Sequence, residues 1–209
     1  MNLRNLTEIL IIDSGVGAVA VLNKLKDRFP TANYTCLQDK SYFPYSGLHE
    51  HQVLSRGKHI LSKHYRYFDY IIIGCHTLSL AFERQSLRIP NVFYVSSTFS
   101  NLKQDEFILC TPLSYSLYKK PNLIQSNLAI LIQNQEITKA KQAFTDHLRE
   151  LPSDSNTLHL GCTHFSALYE EFQEIAKPFG VNVIDPLNQM ADMVPIFDIG
   201  ESKETFLDI

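Results

Sequence analysis

The sequence predicts an α/β protein of two similar doubly wound parallel-sheet lobes, with the functional site in the cleft between them. Three observations predict it. Short apolar runs alternate with segments of helical spacing along the chain, the pattern of parallel strands covered on both faces. The run "FDYIIIG" (68–74) is apolar at successive positions rather than at every second one, so it reads as a strand buried on both sides. The pattern stops at the polar stretch "SSTFSNLKQ" (96–104) and then restarts, so this stretch reads as a hinge.

In order, "EILIID" (8–13) is the first strand, closed by Asp-Ser-Gly. Val19, Leu22, Leu25 and Phe29 recur at roughly helical spacing, and Pro30 stops that helix. "NYTCLQD" (33–39) is a second strand, and "SYFPYSG" (41–47) is loop, rich in turn formers and aromatics. Val53, Ile60, Leu61 and Tyr65 predict a long helix from His49 to about Tyr67. After the strand at 68–74 come a helix over 77–87, Pro90 and the strand "VFYV" (92–95). The second half gives a strand "EFILCT" (106–111), a short helix "PLSYSLYK" (112–119), a strand "LAILI" (128–132) and a helix over 136–149. It ends on a strand "TLHLG" (157–161), a helix "HFSALYEEFQEIAK" (164–177), a strand "VNVI" (181–184) and a helix from Asp185 to Val194.

A chain of 209 residues suits one large domain or two small ones and is long enough for a real core. A net charge of −3 without any basic block argues against a nucleic-acid partner. No apolar stretch approaches a membrane span, and the opening "MNLRNLTEILIID" lacks the apolar core and cleavage site of a signal peptide. The expectation is a cytosolic (cytoplasmic) protein with no membrane partner. Four cysteines in this length are no disulfide framework, so each serves packing, metal binding or catalysis.

The segment "IIIGCHTLS" (71–79) is echoed by "LHLGCTHFS" (158–166): an apolar run, Gly-Cys, then His and Thr in swapped order. In an open parallel sheet, ligands sit beyond the carboxyl ends of the strands. Asp13-Ser14-Gly15, Cys75-His76-Thr77, Cys162-Thr163-His164, and Thr111 with Ser114 all fall there. They come from both halves, which points to a cleft between lobes. Each Gly-Cys step precedes a helix N-terminus, whose dipole and free amides are expected to lower a thiol pKa from about 8.5 toward neutrality. The same amides can hold a carboxylate.

Two opposed thiols are what a cofactor-free racemase requires. One thiolate removes a proton from a chiral carbon and the thiol on the other face returns one. Near-attack geometry on both faces predicts sulfurs about 6–8 Å apart with substrate between them. Asp13 and His164 suit proton relay or tuning, and Ser14, Thr77, Thr111 and Thr163 suit carboxylate or amine binding. No cofactor and no metal enter this scheme. Cys36 and Cys110 lie inside apolar strands and read as packing residues. His49, His51, His59, His64, His147 and His159 read as surface or helix-face residues. Two rival readings use the same stretches. Gly15-x-Gly17-x-x-Ala20 with Asp39 downstream fits a dinucleotide fingerprint. Cys75, His76, Cys162 and His164 are all zinc-ligand types.

The motifs "DSGVG" (13–17), "PYS" (44–46), "CHTLS" (75–79) and "GCTHF" (161–165) stand in the order seen in bacterial glutamate racemases, and over about 8–185 the chain resembles that family. The resemblance implies interconversion of L- and D-glutamate for peptidoglycan synthesis, with Cys75 the base for D-glutamate and Cys162 the base for L-glutamate. It implies that Asp13 and His164 partner them and that Ser14, Tyr45, Thr77 and Thr163 contact substrate. It also implies a first domain of 1–97 joined by the tail 186–209, a second of 98–185, a small-molecule substrate and a homodimer.

Against the family pattern, His76 replaces a substrate-binding Asn, Leu78 a small Ala, Ser46 the Gly of Pro-Tyr-Gly, Ala18 a second Gly and Ser114 a Thr. Ser46, His76, Thr111 and Ser114 are carried as substrate-binding positions. The chain is shorter between Tyr118 and Thr157, where the family usually has a Glu beside the second cysteine's His. Gln133, Asn134 and Glu136 are the candidates for that place. Two alternatives follow from these departures: an impaired or repurposed member that binds an acidic amino acid, or a racemase for another substrate such as aspartate.

Overall fold

A computed structural model describes residues 6–99, 103, 105–118, 120, 122–194 and 204–209. The first lobe is built from β1 (Glu8–Asp13), α1 (Gly17–Arg28), β2 (Asn33–Gln38), α2 (Glu50–His64), β3 (Tyr70–Ile73), α3 (His76–Arg84) and β4 (Val92–Tyr94). The second contains β5 (Glu106–Cys110), α4 (Pro112–Leu117), β6 (Leu123–Gln125), α5 (Leu128–Gln133), α6 (Ile137–Glu150), β7 (Thr157–Gly161), α7 (Thr163–Ser166), α8 (Tyr169–Ala176) and β8 (Asn182–Ile184). The chain ends with α9 (Leu187–Asp192) and β9 (Glu204–Asp208).

Two sheets result, in the orders β4-β3-β1-β2-β9 and β6-β5-β7-β8, and every pairing is parallel. Strand β1 shows why its interior is an unbroken apolar run. Ile9 and Ile11 pack on one face with Cys36, Ile72 and α1, while Leu10 and Ile12 pack on the other with Leu37, Ile71, Ile73 and α2. With both faces covered, the inner positions 9–12 are apolar, and the polar Glu8 and Asp13 stand only at the strand's two ends. In the second lobe Leu109, Leu158 and Leu160 meet α5, α6 and α8, where Phe144 and Phe172 stack at 4.0 Å between centroids. Leu187, Met190 and Ala191 of α9 pack in the first lobe's core, and β9 pairs with β2. The chain thus returns to the first lobe after β8.

Four expectations change. "LAILI" is not a strand but helix α5, and the strand there is β6. A short apolar run does not distinguish strand from buried helix by periodicity. Here Leu128, Ala129 and Ile132 face the core while Ile130 lies out at the surface, which is helical spacing. Helix 164–177 is broken into α7 and α8 at Ala167–Leu168. Val19 is exposed, and α1 buries Ala18 and Val21 in its place. His159 is no surface residue: it lies in β7, buried, with its ring nitrogen 3.2 Å from Glu106. In the expected hinge, residues 95–99 form a 3₁₀ turn, and 100–102 and 104 lie outside the described residues. Among the described residues no helix is long and apolar enough to cross a membrane.

Candidate active site

The carboxyl ends of β1, β3, β5 and β7 deliver the polar segments to one place between the lobes. Asp13 ends β1 and has no exposed surface. Its Oδ1 accepts the Gly15 N–H at 3.0 Å and its Oδ2 accepts the Thr163 hydroxyl, from the other lobe, at 2.8 Å. Burial raises its pKa to about 6, against the lowering effect of those bonds.

Cys75 immediately precedes α3, and the Thr77 and Leu78 N–H groups point at its sulfur. Ser14 Oγ lies 3.8 Å from that sulfur. Cys162 immediately precedes α7, with the N–H groups of His164 and Phe165 turned toward it. His164 Nδ1 lies 3.9 Å from Cys162 Sγ. The two thiols feel each other, since the charge of Cys75 raises the Cys162 pKa. The expected lowering of both thiols is not what the structure gives. Burial pushes Cys75 up to about 12, with the Asp13 charge adding to it, and burial carries Cys162 well above its usual range. With both sulfurs buried, desolvation outweighs the helix amides.

Three hydroxyls close a triangle across the lobes. Thr77 Oγ1 lies 3.1 Å from Thr111 Oγ1 and 2.9 Å from Ser114 Oγ, and the last two lie 3.0 Å apart. Tyr45 is buried next to Cys75, but its hydroxyl already donates to Asp39 Oδ2 at 2.6 Å. Ser46 follows it, half-buried. His76 is buried and stacks on Phe99 at 5.1 Å between ring centroids, and among the described residues neither of its ring nitrogens has a hydrogen-bond partner. Leu78 does not narrow the cleft. Its Cδ1 fills the space over Gly57 of α2, where an added Cβ would lie 2.5 Å away.

The rival readings meet this geometry poorly. Asp39 is held by Arg56 Nε at 2.7 Å and Nη2 at 2.9 Å, besides Tyr45, so it is not free for a ribose. The space above Gly17 is filled by Thr163 Oγ1, 2.4 Å from where a Cβ would stand, which leaves no room for a pyrophosphate. Cys75, His76, Cys162 and His164 do not assemble: His76 lies against Phe99, and among the described residues no group of three or more such side chains can hold a metal ion.

One candidate left open in sequence is resolved, and two further residues of the site, Phe43 and Arg56, were not singled out. Gln133, the last residue of α5, accepts from His164 Nε2 at 2.9 Å, which picks it out from Asn134 and Glu136. The Phe43 ring covers the His164 ring at 5.3 Å. Arg56 anchors Asp39. Only "SYFPYSG" carried a hint of Phe43; the Arg56 contact is long-range and has no local signal, and Gln133 was reached only as one of three candidates by resemblance.

Two all-parallel α/β lobes closing on a pair of thiols define the class of the molecule: a two-lobed α/β protein with its polar site between the sheets. No family model matches the chain. It is 30% identical over 188 residues to a glutamate racemase of Aliivibrio fischeri, covering 79% of this chain and 72% of that one. It is 29% identical over 211 residues to a glutamate racemase of Buchnera aphidicola from Schizaphis graminum, covering 85% and 80%. The fold matches a glutamate racemase isoform of Bacillus anthracis with a TM-score of 0.79 at 20% identity, over 97% of this chain and 88% of that one. A Thermus thermophilus glutamate racemase in complex with beta-chloro-D-alanine gives 0.78 at 20% identity, over 97% and 87%. The chain belongs to the glutamate racemase family.

Proposed function

We propose that the protein is an isomerase that interconverts L- and D-glutamate by two-thiol proton transfer, and so supplies D-glutamate for peptidoglycan. The observation that carries this is the pair of buried thiols, one from each lobe, each at the start of a helix with amides on its sulfur and each within the other's field. In one direction the Cys75 sulfur takes the Cα proton of D-glutamate while Cys162 gives its own proton to the opposite face. In the other direction the roles exchange. Proton count and charge are unchanged over a turnover.

The chain's own groups supply the rest. The Thr77, Thr111 and Ser114 hydroxyls bond one another, and all three can turn to donate to a carboxylate. Ser14, Ser46 and Thr163 line the same cleft as further donors. Asp13 serves the Cys75 side and His164 the Cys162 side. The substrate ammonium places a cation beside two thiols that burial holds protonated, and a neighbouring positive charge favours thiolate. His76 turns off Phe99 to give one of its unpaired nitrogens to the substrate. Leu78 packs over Gly57 of α2, so of the two residues that favour a smaller substrate such as aspartate only His76 bears on the cleft. The protein works in the bacterial cytoplasm on a free amino acid, as a homodimer. Sedimentation at the 23.9 kDa of one chain would remove the pairing.

The test is incubation with L-glutamate, D-glutamate and aspartate separately in D₂O, following optical rotation and the α-proton resonance. Inversion with deuterium uptake from either glutamate is expected. Cys75→Ser and Cys162→Ser should each abolish inversion, and wild-type turnover in both variants would remove the two-thiol scheme. Silence toward glutamate from folded wild-type protein would overturn the reading.

A further inference from the structure

We infer that Gln133 is a latch between the lobes that sets the tautomer of His164 and, through it, gives Cys162 an acceptor for its proton only when the lobes are shut. The chemistry at Cys162 rests on the racemase reading; the latch itself is read from hydrogen bonds alone.

Gln133 Oε1 receives two donors. One is His164 Nε2 at 2.9 Å, within its own lobe. The other is the Val16 backbone N–H at 3.1 Å, from the first lobe. A backbone N–H can only donate, so the amide atom facing Val16 must be the oxygen. That fixes which way the amide points. The same oxygen faces His164, so Nε2 must carry the hydrogen, and in a neutral imidazole the lone pair then sits on Nδ1. Nδ1 faces Cys162 Sγ at 3.9 Å. Burial holds the His164 pKa down at about 4, so the ring rests neutral and Nδ1 is free to accept. The step this arms is a transfer of the Cys162 thiol proton to Nδ1. It leaves a thiolate and an imidazolium whose Nε2–H stays on Gln133, and the reverse transfer restores both.

The coupling to closure lies in the second donor. With Val16 withdrawn, nothing prevents the amide from turning over and offering its NH₂ to Nε2. The ring would then carry its hydrogen on Nδ1, pointing a donor at the sulfur in place of an acceptor. The fit around the latch is tight. A Cβ on Gly15 would lie 2.5 Å from Gln133 Oε1 and 2.9 Å from His164 Nε2, so only glycine lets the first lobe's backbone sit on this pair.

Three variants test it, read by the pH profile of iodoacetamide alkylation at Cys162, with Cys75 as internal reference in the same peptide digest, and by kcat and KM in both directions. Gln133→Leu removes the acceptor. Val16→Pro removes the N–H from the other lobe and sets the ring Cδ between that nitrogen and Oε1, which must move away. The backbone there has φ −64°, which proline adopts without strain. Each should shift the Cys162 profile, leave that of Cys75 in place, and lower kcat by about 100-fold with KM within about threefold, the low end of a lost acid–base contribution. Gln133→Glu keeps the acceptor and should restore most of the turnover, while its charge favours the imidazolium and moves the Cys162 midpoint to lower pH. Superimposable Cys162 profiles for wild type and folded Gln133→Leu would overturn the latch. A shift in Gln133→Leu without one in Val16→Pro would overturn its coupling to closure. Shifted profiles in a protein that racemises nothing would leave the latch standing and remove the racemase reading.

Discussion

At the scale of single residues the site is governed by desolvation, and its signs can be checked. Asp13 binds its proton more tightly folded than unfolded, with a pKa of about 6 against 3.8. The stability this lends is whole below pH 3.8 and is lost as pH rises through 6. Above that the fold holds a buried charge that costs roughly 3 kcal/mol, at about 1.4 kcal/mol per unit. Asp13→Asn is therefore expected to raise the thermal midpoint more at pH 8 than at pH 4.5, while racemisation falls at least tenfold. An equal gain at both pH values would show that the group does not titrate there. His76 and His164 run the other way, with pKa values pushed down to about 3 and about 4 by burial. Their contribution is present above the usual 6.5 and is shed as pH falls from there through the folded values. His76 also leaves two ring nitrogens unpaired, a cost of about 1–3 kcal/mol for a buried polar group. In His76→Phe, urea midpoints should fall less between pH 6.5 and pH 4 than in wild type; parallel slopes would contradict the buried neutral imidazole.

At the scale of elements, strands β1, β3 and β5 were legible because parallel strands buried on both faces carry apolar runs, and β7 was legible from its two leucines and the Gly-Cys that ends it, although the buried His159 interrupts it. The positions of Asp13, Cys75 and Cys162 followed from strand ends. Two things were not legible. The run at 128–132 carried no signal separating strand from helix, and only its packing, with Ile130 outside, decides. Strand β9 is mostly exposed and carries Glu204, Thr205 and Asp208, so it lacks an apolar pattern and exists by pairing with β2. The site contacts made by Gln133 and Arg56 are likewise properties of the assembled chain. Where β5 and β7 pair most closely, Gly161 sits opposite Cys110. A Cβ there would stand 2.7 Å from Ile108 Cγ2 and 2.8 Å from the Leu109 carbonyl oxygen, a backbone atom that cannot swing aside. Gly161→Ala should thus cost about 1–3 kcal/mol by overpacking, and should lower turnover by displacing the adjoining Cys162. Gly180 is the contrast: its φ of +69° strains any other residue, yet nothing lies within 4 Å of an added Cβ. Gly180→Ala should cost about 1 kcal/mol with activity intact. Chemical denaturation beside the racemase assay separates the two, and equal loss of activity in both would mean the Gly161 effect is not local.

At the scale of the whole molecule, the lobes are shut. Thr163 bonds Asp13, Gln133 bonds Val16, and Thr77 bonds Thr111 and Ser114, all from one lobe to the other. Both cysteines are only 7% exposed. Glutamate carries two carboxylates and an ammonium, so its path to these sulfurs requires the cross-lobe bonds to part. On the reading proposed above, the same hydroxyls then turn to the substrate. Closure is thereby driven by the ligand's own charge, and the free protein must visit an open state in which the strand ends meet water. This predicts a pattern in hydrogen exchange. Amides at 75–78, 111–115 and 162–165 should exchange faster in free protein than in saturating glutamate, by about tenfold or more for each 1.4 kcal/mol of added closure free energy. Helix α6, away from the cleft, should be unchanged. Because the two enantiomers are equal in free energy, the substrate equilibrates during the measurement, and either one gives the same protection. Exchange at those segments that is identical with and without glutamate, in protein that is racemising it, would mean that the lobes do not gate the site.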